Sequence, residues 1–386
     1  MPFDVKTQKM SRKHKKIPSL IRCKVKKSLK TAFLYIGTMV GAGFSSGREI
    51  ALFFGNSSPL NVALASIVMA MFACLFLTAG KLALIPNGKI VKLGILFSAG
   101  VSLVAMLAGG EYILRTMTTL PLLALVMAIL GAIVVSQGIE KIKLANAILV
   151  PLIVLSIAII FFQIPAQNGS LGFSLAKPIM YGGLDILLGG VIVGEEGKDM
   201  TFGQILLASL VIAVSLFFML YMLQTIVLAD KNDSLMPVFA ISQQLHMQAV
   251  CGILIACAIF TTLVSSLKIV SDTLIFFASN IKKPSPISAP ENKSIVVMFC
   301  LVICYPLNFF GFGKIVDNLY PINSILGVAL AGIVLVKLIA FLIVNTRRKH
   351  LKNKQKRLCK TAKPKHKSQQ SDVQSSSSSS FFGGLK

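Results

Sequence analysis

Charge is what this sequence has least of. Charged residues fill 14% of its 386 positions, against about 25% in an ordinary soluble domain. The shortage is deeper in the middle of the chain. The stretches before Thr31 and after Thr346 carry eleven and twelve Lys/Arg with one acid each, and so hold +21 of the formal +25. The body between them is nearly neutral. Histidine is also scarce: His14, His350 and His366 fall in the basic ends, and only His246 borders an apolar run. No phosphate-binding G-x-x-x-x-G-K-[ST] string is present, which leaves ATP-driven transport without a basis in this chain. Of seven cysteines, Cys300 and Cys304 stand four apart, with no second pair or His to complete a metal site. They read as helix-packing thiols. No cleavable signal segment is expected, since the first apolar run starts near Thr31 and is too long for one. The basic ends have few aromatics for stacking and no recognisable nucleic-acid module. Beside membrane spans, their charge is explained by the positive-inside rule and by anionic lipid headgroups, the partner expected for them.

What the chain has in abundance is apolar length. Hydrophobic residues make up 55% of it, in recurring runs of about 20 residues, enough to cross roughly 30 Å of hydrocarbon. Ten spans are expected, at 31–54, 60–84, 91–114, 120–136, 144–162, 178–193, 202–229, 248–268, 294–310 and 315–344. The even-numbered loops hold Lys81, Lys89, Lys92, Lys141, Lys143, Lys198, Lys282, Lys283 and Lys293. The odd-numbered loops hold only Arg115, Lys177, Lys231 and Lys314. The excess marks the even loops as cytoplasmic, and an even span count puts both basic tails there too. The expected organisation is a basic cytoplasmic tail at 1–30, a helical core at 31–345, and a basic tail at 346–386 with the serine run Ser375–Ser380. Both tails are expected to be disordered, in a protein of the cell's inner (plasma) membrane. In the outer connection 230–246, residues 236–245 are expected as a short interfacial helix.

The first span reads Tyr35-Ile-Gly-Thr-Met-Val-Gly-Ala-Gly-Phe-Ser-Ser-Gly-Arg-Glu-Ile50. Gly37, Gly41, Gly43 and Gly47 stand where glycine costs a helix about 1 kcal/mol each relative to Ala. Such glycines permit close helix packing or let the helix break and expose backbone groups to a solute or ion. The polar Ser45, Ser46, Arg48 and Glu49 that follow favour the break. The sixth span supplies a counterpart: Pro178-Ile-Met-Tyr-Gly-Gly-Leu-Asp-Ile-Leu-Leu-Gly-Gly190. Interrupted helices at matching positions in two sets of five point to a midplane binding site.

The string from Gly37 to Phe44 resembles the first-helix signature of the amino acid–polyamine–cation transporter superfamily. Extended through Glu49, it is most similar to a poorly characterised bacterial branch of it. The resemblance implies an all-α integral membrane fold of ten helices, a five-plus-five inverted repeat with helices 1 and 6 interrupted. It implies cation-coupled symport of a small organic solute, such as an amino acid or related amine, by a non-enzyme. By the same resemblance the solute meets Thr38, Gly41, Ala42, Gly43 and Phe44 on the first span, Glu111 on the third, and Tyr181, Gly182 and Asp185 on the sixth. Asp185 stands where the branch has an uncharged polar residue. Ala258-Ile-Phe-Thr-Thr262 matches the eighth-helix half of the family's sodium site. The ion's ligands there would be the carbonyls of Gly37, Val40 and Ala258 and the hydroxyls of Thr261 and Thr262. Otherwise the two threonines bond their own helix carbonyls. No cofactor beyond that ion is expected. The same helices would serve a non-transporting receptor, such as a germinant-receptor subunit.

Charges within spans are functional candidates. Glu111 either lines the site or pairs with Arg115, four residues on. Asp185 either holds a substrate amine or proton, or marks a polar boundary. Glu49, near the outer end, either gates with Arg48 or snorkels to the interface, with snorkelling expected, and Lys268 is expected to pair with Asp272. Gly43-Phe-Ser-Ser-Gly47 matches the serine-hydrolase pattern, but without the strand–turn–helix setting that chemistry needs.

Overall fold

The computed structural model describes residues 25–118, 123–137, 140–165, 172–281 and 293–361, and within them the chain is helical with no strand. The helices in chain order are α1 (residues 25–39), α2 (Ala42–Ser46), α3 (Arg48–Phe54), α4 (Pro59–Lys81), α5 (Lys89–Thr118), α6 (Leu123–Gln137) and α7 (Glu140–Gln163). They continue as α8 (Ala176–Asp185), a π-helical turn (Ile186–Gly190), α9 (Val191–Gly197), α10 (Phe202–Ala229), α11 (Pro237–Gln244), α12 (Gln248–Ile281), α13 (Lys293–Cys304), a 3₁₀ turn (Tyr305–Phe310) and α14 (Phe312–Thr361). Most of both basic arms, Cys23, the serine run and Lys282 and Lys283 lie outside the described residues.

Six segments are long and apolar enough to cross a membrane: α4, α5, α8 through α9, α10, α12 and α14. Shorter apolar helices cover Leu123–Gln137, Ile148–Gln163 and Ser294–Phe310. Their outer faces are as apolar as their inner ones: Ile67, Met71, Val126, Leu130, Leu206, Leu210 and Val302 are all exposed. A helix that is hydrophobic all round while open on one side is solvated by lipid. The chain is a multi-pass membrane protein.

Between such helices there is no water to expel, so close backbone approach does more of the packing. A Cβ on Gly80 would stand 1.7 Å from the Gly194 carbonyl oxygen, and one on Gly197 2.1 Å from that of Leu77, so α4 and α9 cross on glycine. A Cβ on Gly327 would stand 1.8 Å from the Gly183 oxygen, which locks α14 against α8 in the same way. These crossings place the sixth segment of the ten expected, α8 through α9, between α4 and α14, with the first, α1 through α3, beside it and α12.

Several boundaries differ from the sequence reading. α12 runs on past Lys268 to Ile281, since no proline follows before Pro284 and Lys268 pairs with Asp272 one turn on. α14 continues to Thr361 through the segment read as disordered tail, because Lys, Arg and Leu are good helix formers. Residues 336–361 belong to a separate compact unit, helical and exposed from 339 to 352. α11 forms where a short interfacial helix was expected, but Val238, Phe239, Ile241 and Ser242 are buried. It is packed into the protein against α2, α10 and α12.

Candidate functional site

The first segment breaks where its glycines cluster. The Val40 amide still bonds the Ile36 carbonyl (2.9 Å), but the Gly41 amide turns to Met39 (2.8 Å). The Gly37 carbonyl thereby loses its partner one turn on. The helix restarts as α2, whose first bond runs from the Ser45 amide to the Gly41 carbonyl (2.9 Å). The amides of Ala42, Gly43 and Phe44 therefore precede the first helical bond, as at any helix start. A second interruption follows at Gly47, which takes a left-handed φ of 79° that only glycine adopts without strain. That turn re-aims the chain. Arg48 reaches out to Asp317 of α14, with Nη2 2.6 Å from both carboxylate oxygens. Glu49, buried, folds back under α2, its Oε1 1.8 Å from where a Cβ on Gly43 would stand.

The sixth segment is interrupted differently. It does not unwind but widens into the π turn Ile186–Gly190, which leaves mismatched backbone groups around Asp185. Asn323 Nδ2 donates to the Leu184 carbonyl there (3.2 Å). The two interruptions face each other: a Cβ on Gly189 would come 3.0 Å from Thr38 Oγ1.

Between them lies a cavity of about 220 Å³, far above the roughly 10–15 Å³ that one water requires. Of the residues expected to meet a solute, Thr38, Gly41, Ala42, Gly43 and Asp185 line it. So do Gly37, Val40, Thr261 and Thr262 of the expected sodium set. Thr262 faces the break, its Oγ1 3.4 Å from a Cβ on Gly41. Thr261 Oγ1 donates to the Ala258 carbonyl (3.1 Å), so two of the five expected ligands bond each other.

Other expected residues lie off the cavity. Phe44 is packed in the core. Tyr181 stands edge-on to Phe53 and Phe54, with centroids 5.6 and 5.2 Å away. Gly182 faces Val68 and Phe72 of α4. Glu111 is near Tyr305 on another face of α5. Its Oε2 is buried without a hydrogen-bond partner, and among the described residues no ion pair joins it to Arg115.

The cavity also holds residues not expected there: Ser98, Ser102, Ser265, Ser266, Tyr320 and Asn323, which the sequence reading passed over, and above all Glu49, which it placed at the interface. Ser98 and Ser102 are one turn apart on α5, and Tyr320 and Asn323 one turn apart on α14. Such a polar stripe in an apolar span is a readable signal. Glu49 does not snorkel, because the Gly47 turn points it inward. Four buried side-chain atoms around the cavity have no hydrogen-bond partner: Glu49 Oε2, Asp185 Oδ2, Asn323 Oδ1 and Ser98 Oγ. Buried polar groups are rarely left so. The Gly43–Gly47 string, by contrast, is helical up to Ser46 and its hydroxyls are engaged: Ser45 Oγ donates to the Ala42 carbonyl (3.1 Å) and Ser46 Oγ to that of Gly43 (3.0 Å).

No family model matches the chain. It is similar to two proteins of Bacillus subtilis (strain 168). One is the uncharacterized protein YyaD, 27% identical over 331 residues, 78% of this chain and 94% of that one. The other is the uncharacterized membrane protein YkvI, 20% identical over 342 residues, 79% of this chain and 94% of that one. Among solved structures it resembles the Eremococcus coleocola manganese transporter, with a TM-score of 0.50 and 13% identity, covering 83% of this chain and 79% of the other. The fold is that of a membrane transporter.

Proposed function

We propose that the chain is a secondary active transporter of a small organic solute, an amino acid or related amine, working by alternating access and coupled to a cation. The observation that carries the reading is the cavity where the interrupted first and sixth segments meet, lined by two carboxylates, the buried Glu49 and the half-buried Asp185. Broken helices around a midplane site are how such transporters hold a solute while the surrounding bundles rock.

Six long spans, three shorter apolar helices and the broken first segment support a count of ten. In two sets of five, the interruptions then occupy corresponding places. The lysine excess of the even loops supports a cytoplasmic position for both tails. The cavity's wall at Ile269 also borders a second cavity of about 530 Å³ beside Lys92, Glu195, Lys198 and Asp272. At the other end Arg48 and Asp317 bridge the first segment to α14. This arrangement supports a state closed outside and poised to open inward. Gly37, Val40, Thr261 and Thr262 around the break support sodium as the coupling ion, once Thr261 releases Ala258.

Uptake into proteoliposomes holding the purified chain tests the reading, with sodium and proton gradients imposed separately. Gradient-dependent accumulation of an amino acid or amine is the expected result. Saturable binding with no flux under any gradient would sink it in favour of a receptor on the same fold.

A further inference from the structure

We infer that the solute is a small primary amine without a carboxylate, its ammonium held by Glu49, Asp185 and Asn323. The inference rests on the transporter reading for the site's purpose, but on separate observations for its chemistry. Three acceptors around the cavity are buried with no donor: Glu49 Oε2, Asp185 Oδ2 and Asn323 Oδ1. They come from α3, α8 and α14. The orientation of Asn323 is fixed, because its Nδ2 already donates to the Leu184 carbonyl (3.2 Å). The oxygen is what remains for a ligand. An ammonium offers three N–H donors and no acceptor, which matches three unpaired acceptors.

Charge points the same way. The lining contains two carboxylates and no Lys, Arg or His. Arg48, adjacent to Glu49 in sequence, is directed away to Asp317. A ligand that carries positive charge is therefore favoured in this cavity.

A substrate carboxylate would find hydroxyls such as Ser98 Oγ but no Lys, Arg or His to balance its charge. Ser102 and Ser266 bond each other (2.9 Å), and Thr38, Thr261 and Ser265 donate to carbonyls of their own helices. The amino end of α2 would attract an anion, but Glu49 Oε1 is already folded against Gly43 there.

The test uses the full chain in nanodiscs and radiolabelled putrescine. L-alanine, tetramethylammonium and manganese(II) chloride serve as competitors. Saturable putrescine binding is expected, with L-alanine and tetramethylammonium at least ten-fold weaker, the first for its carboxylate and the second for its lack of N–H. Glu49→Gln and Asp185→Asn should each weaken putrescine at least ten-fold, while Glu49→Asp keeps part of the affinity. The inference fails if L-alanine binds as tightly as putrescine, if tetramethylammonium competes equally, or if manganese alone binds. It also fails if putrescine does not bind. The competition uses unmutated protein, so it decides even where a variant misfolds. Amine binding without flux would overturn the transport reading and leave this one standing. Gradient-driven alanine uptake would do the reverse.

Discussion

Gly43→Ala separates the two tasks that glycine performs in this protein. A Cβ at Gly43 would lie 1.8 Å from Glu49 Oε1, 2.4 Å from Cδ and 2.7 Å from Cγ. All three atoms belong to the free end of a flexible side chain, so the methyl evicts the carboxylate rather than the backbone. Ala is also the better helix residue by about 1 kcal/mol, which offsets most of a rotamer penalty of about 0.5–1.5 kcal/mol. Stability should stay within about 1 kcal/mol of the parent. The site should lose one charge-assisted hydrogen bond, worth about 1.5–3 kcal/mol, or roughly a 10- to 150-fold drop in putrescine affinity. Gly80→Ala is the contrast. Its Cβ would meet the Gly194 carbonyl oxygen at 1.7 Å, a backbone atom that cannot swing aside, so α4 and α9 must part at a cost of about 1–3 kcal/mol or more. Thermal unfolding in detergent, followed by size-exclusion chromatography, reads the stability. Nanodisc binding reads the affinity. Adding Glu49→Gln to Gly43→Ala supplies the decisive check: both changes remove the same interaction, so their effects should fall well short of additive. Full additivity, or a Gly43→Ala protein that binds normally, would refute the argument.

Further outcomes follow from other parts of the structure. Asp317→Asn removes a carboxylate that both oxygens tie to Arg48, whose side chain is only 15% exposed. A cysteine placed at Thr38 should then react faster with a membrane-impermeant thiol reagent from the Ser58 side, and an unchanged rate would count against a gate there. Thr261→Val with Thr262→Val keeps volume while deleting two hydroxyls. Uptake should lose its sodium dependence, and normal low-sodium transport by this variant would discard the sodium assignment. In a background cleared of the seven native cysteines, single cysteines in either tail should label only from the cytoplasm, and one near Asn56 only from outside. Tails on opposite sides would overturn the ten-span arrangement.

The helices were legible because lipid imposes a strong rule: every backbone polar group must be satisfied within the segment. A run such as 202–229 therefore declares itself by length alone, and α10 has those bounds. The first break was legible for the converse reason, since Gly37, Gly41, Gly43 and Gly47 are too many for an intact span. The character of the second break was not. Gly and Pro announce that a helix is weak, but a π turn and an unwound stretch share the same residues. What selects the turn here is contact, with Gly183 under Gly327 and Asn323 bonded at Leu184. The burial of α11 was hidden likewise, because its neighbours α2, α10 and α12 decide it.

Glu49 shows where sequence reasoning about the site reaches its end. Counted along a straight helix from Gly37, a carboxylate twelve positions on lies about 18 Å away at 1.5 Å per residue, which puts it near the membrane surface. Snorkelling is then the cheapest expectation. Two breaks shorten that path. The first, at Val40 and Gly41, frees the direction of α2. The second, at Gly47 with φ of 79°, turns α3 back, so that residue 49 returns beneath residue 43. The sequence contains both glycines, but not what packs on the turn: Val238 of α11 would stand 3.0 Å from a Cβ on Gly47. A buried helix read as interfacial thus sets the aim of an acid read as exposed. The two misplacements have one origin, and α11 is the element that joins them. Loosening α11, for instance through Val238→Ala, should therefore weaken amine binding without touching any residue that lines the cavity.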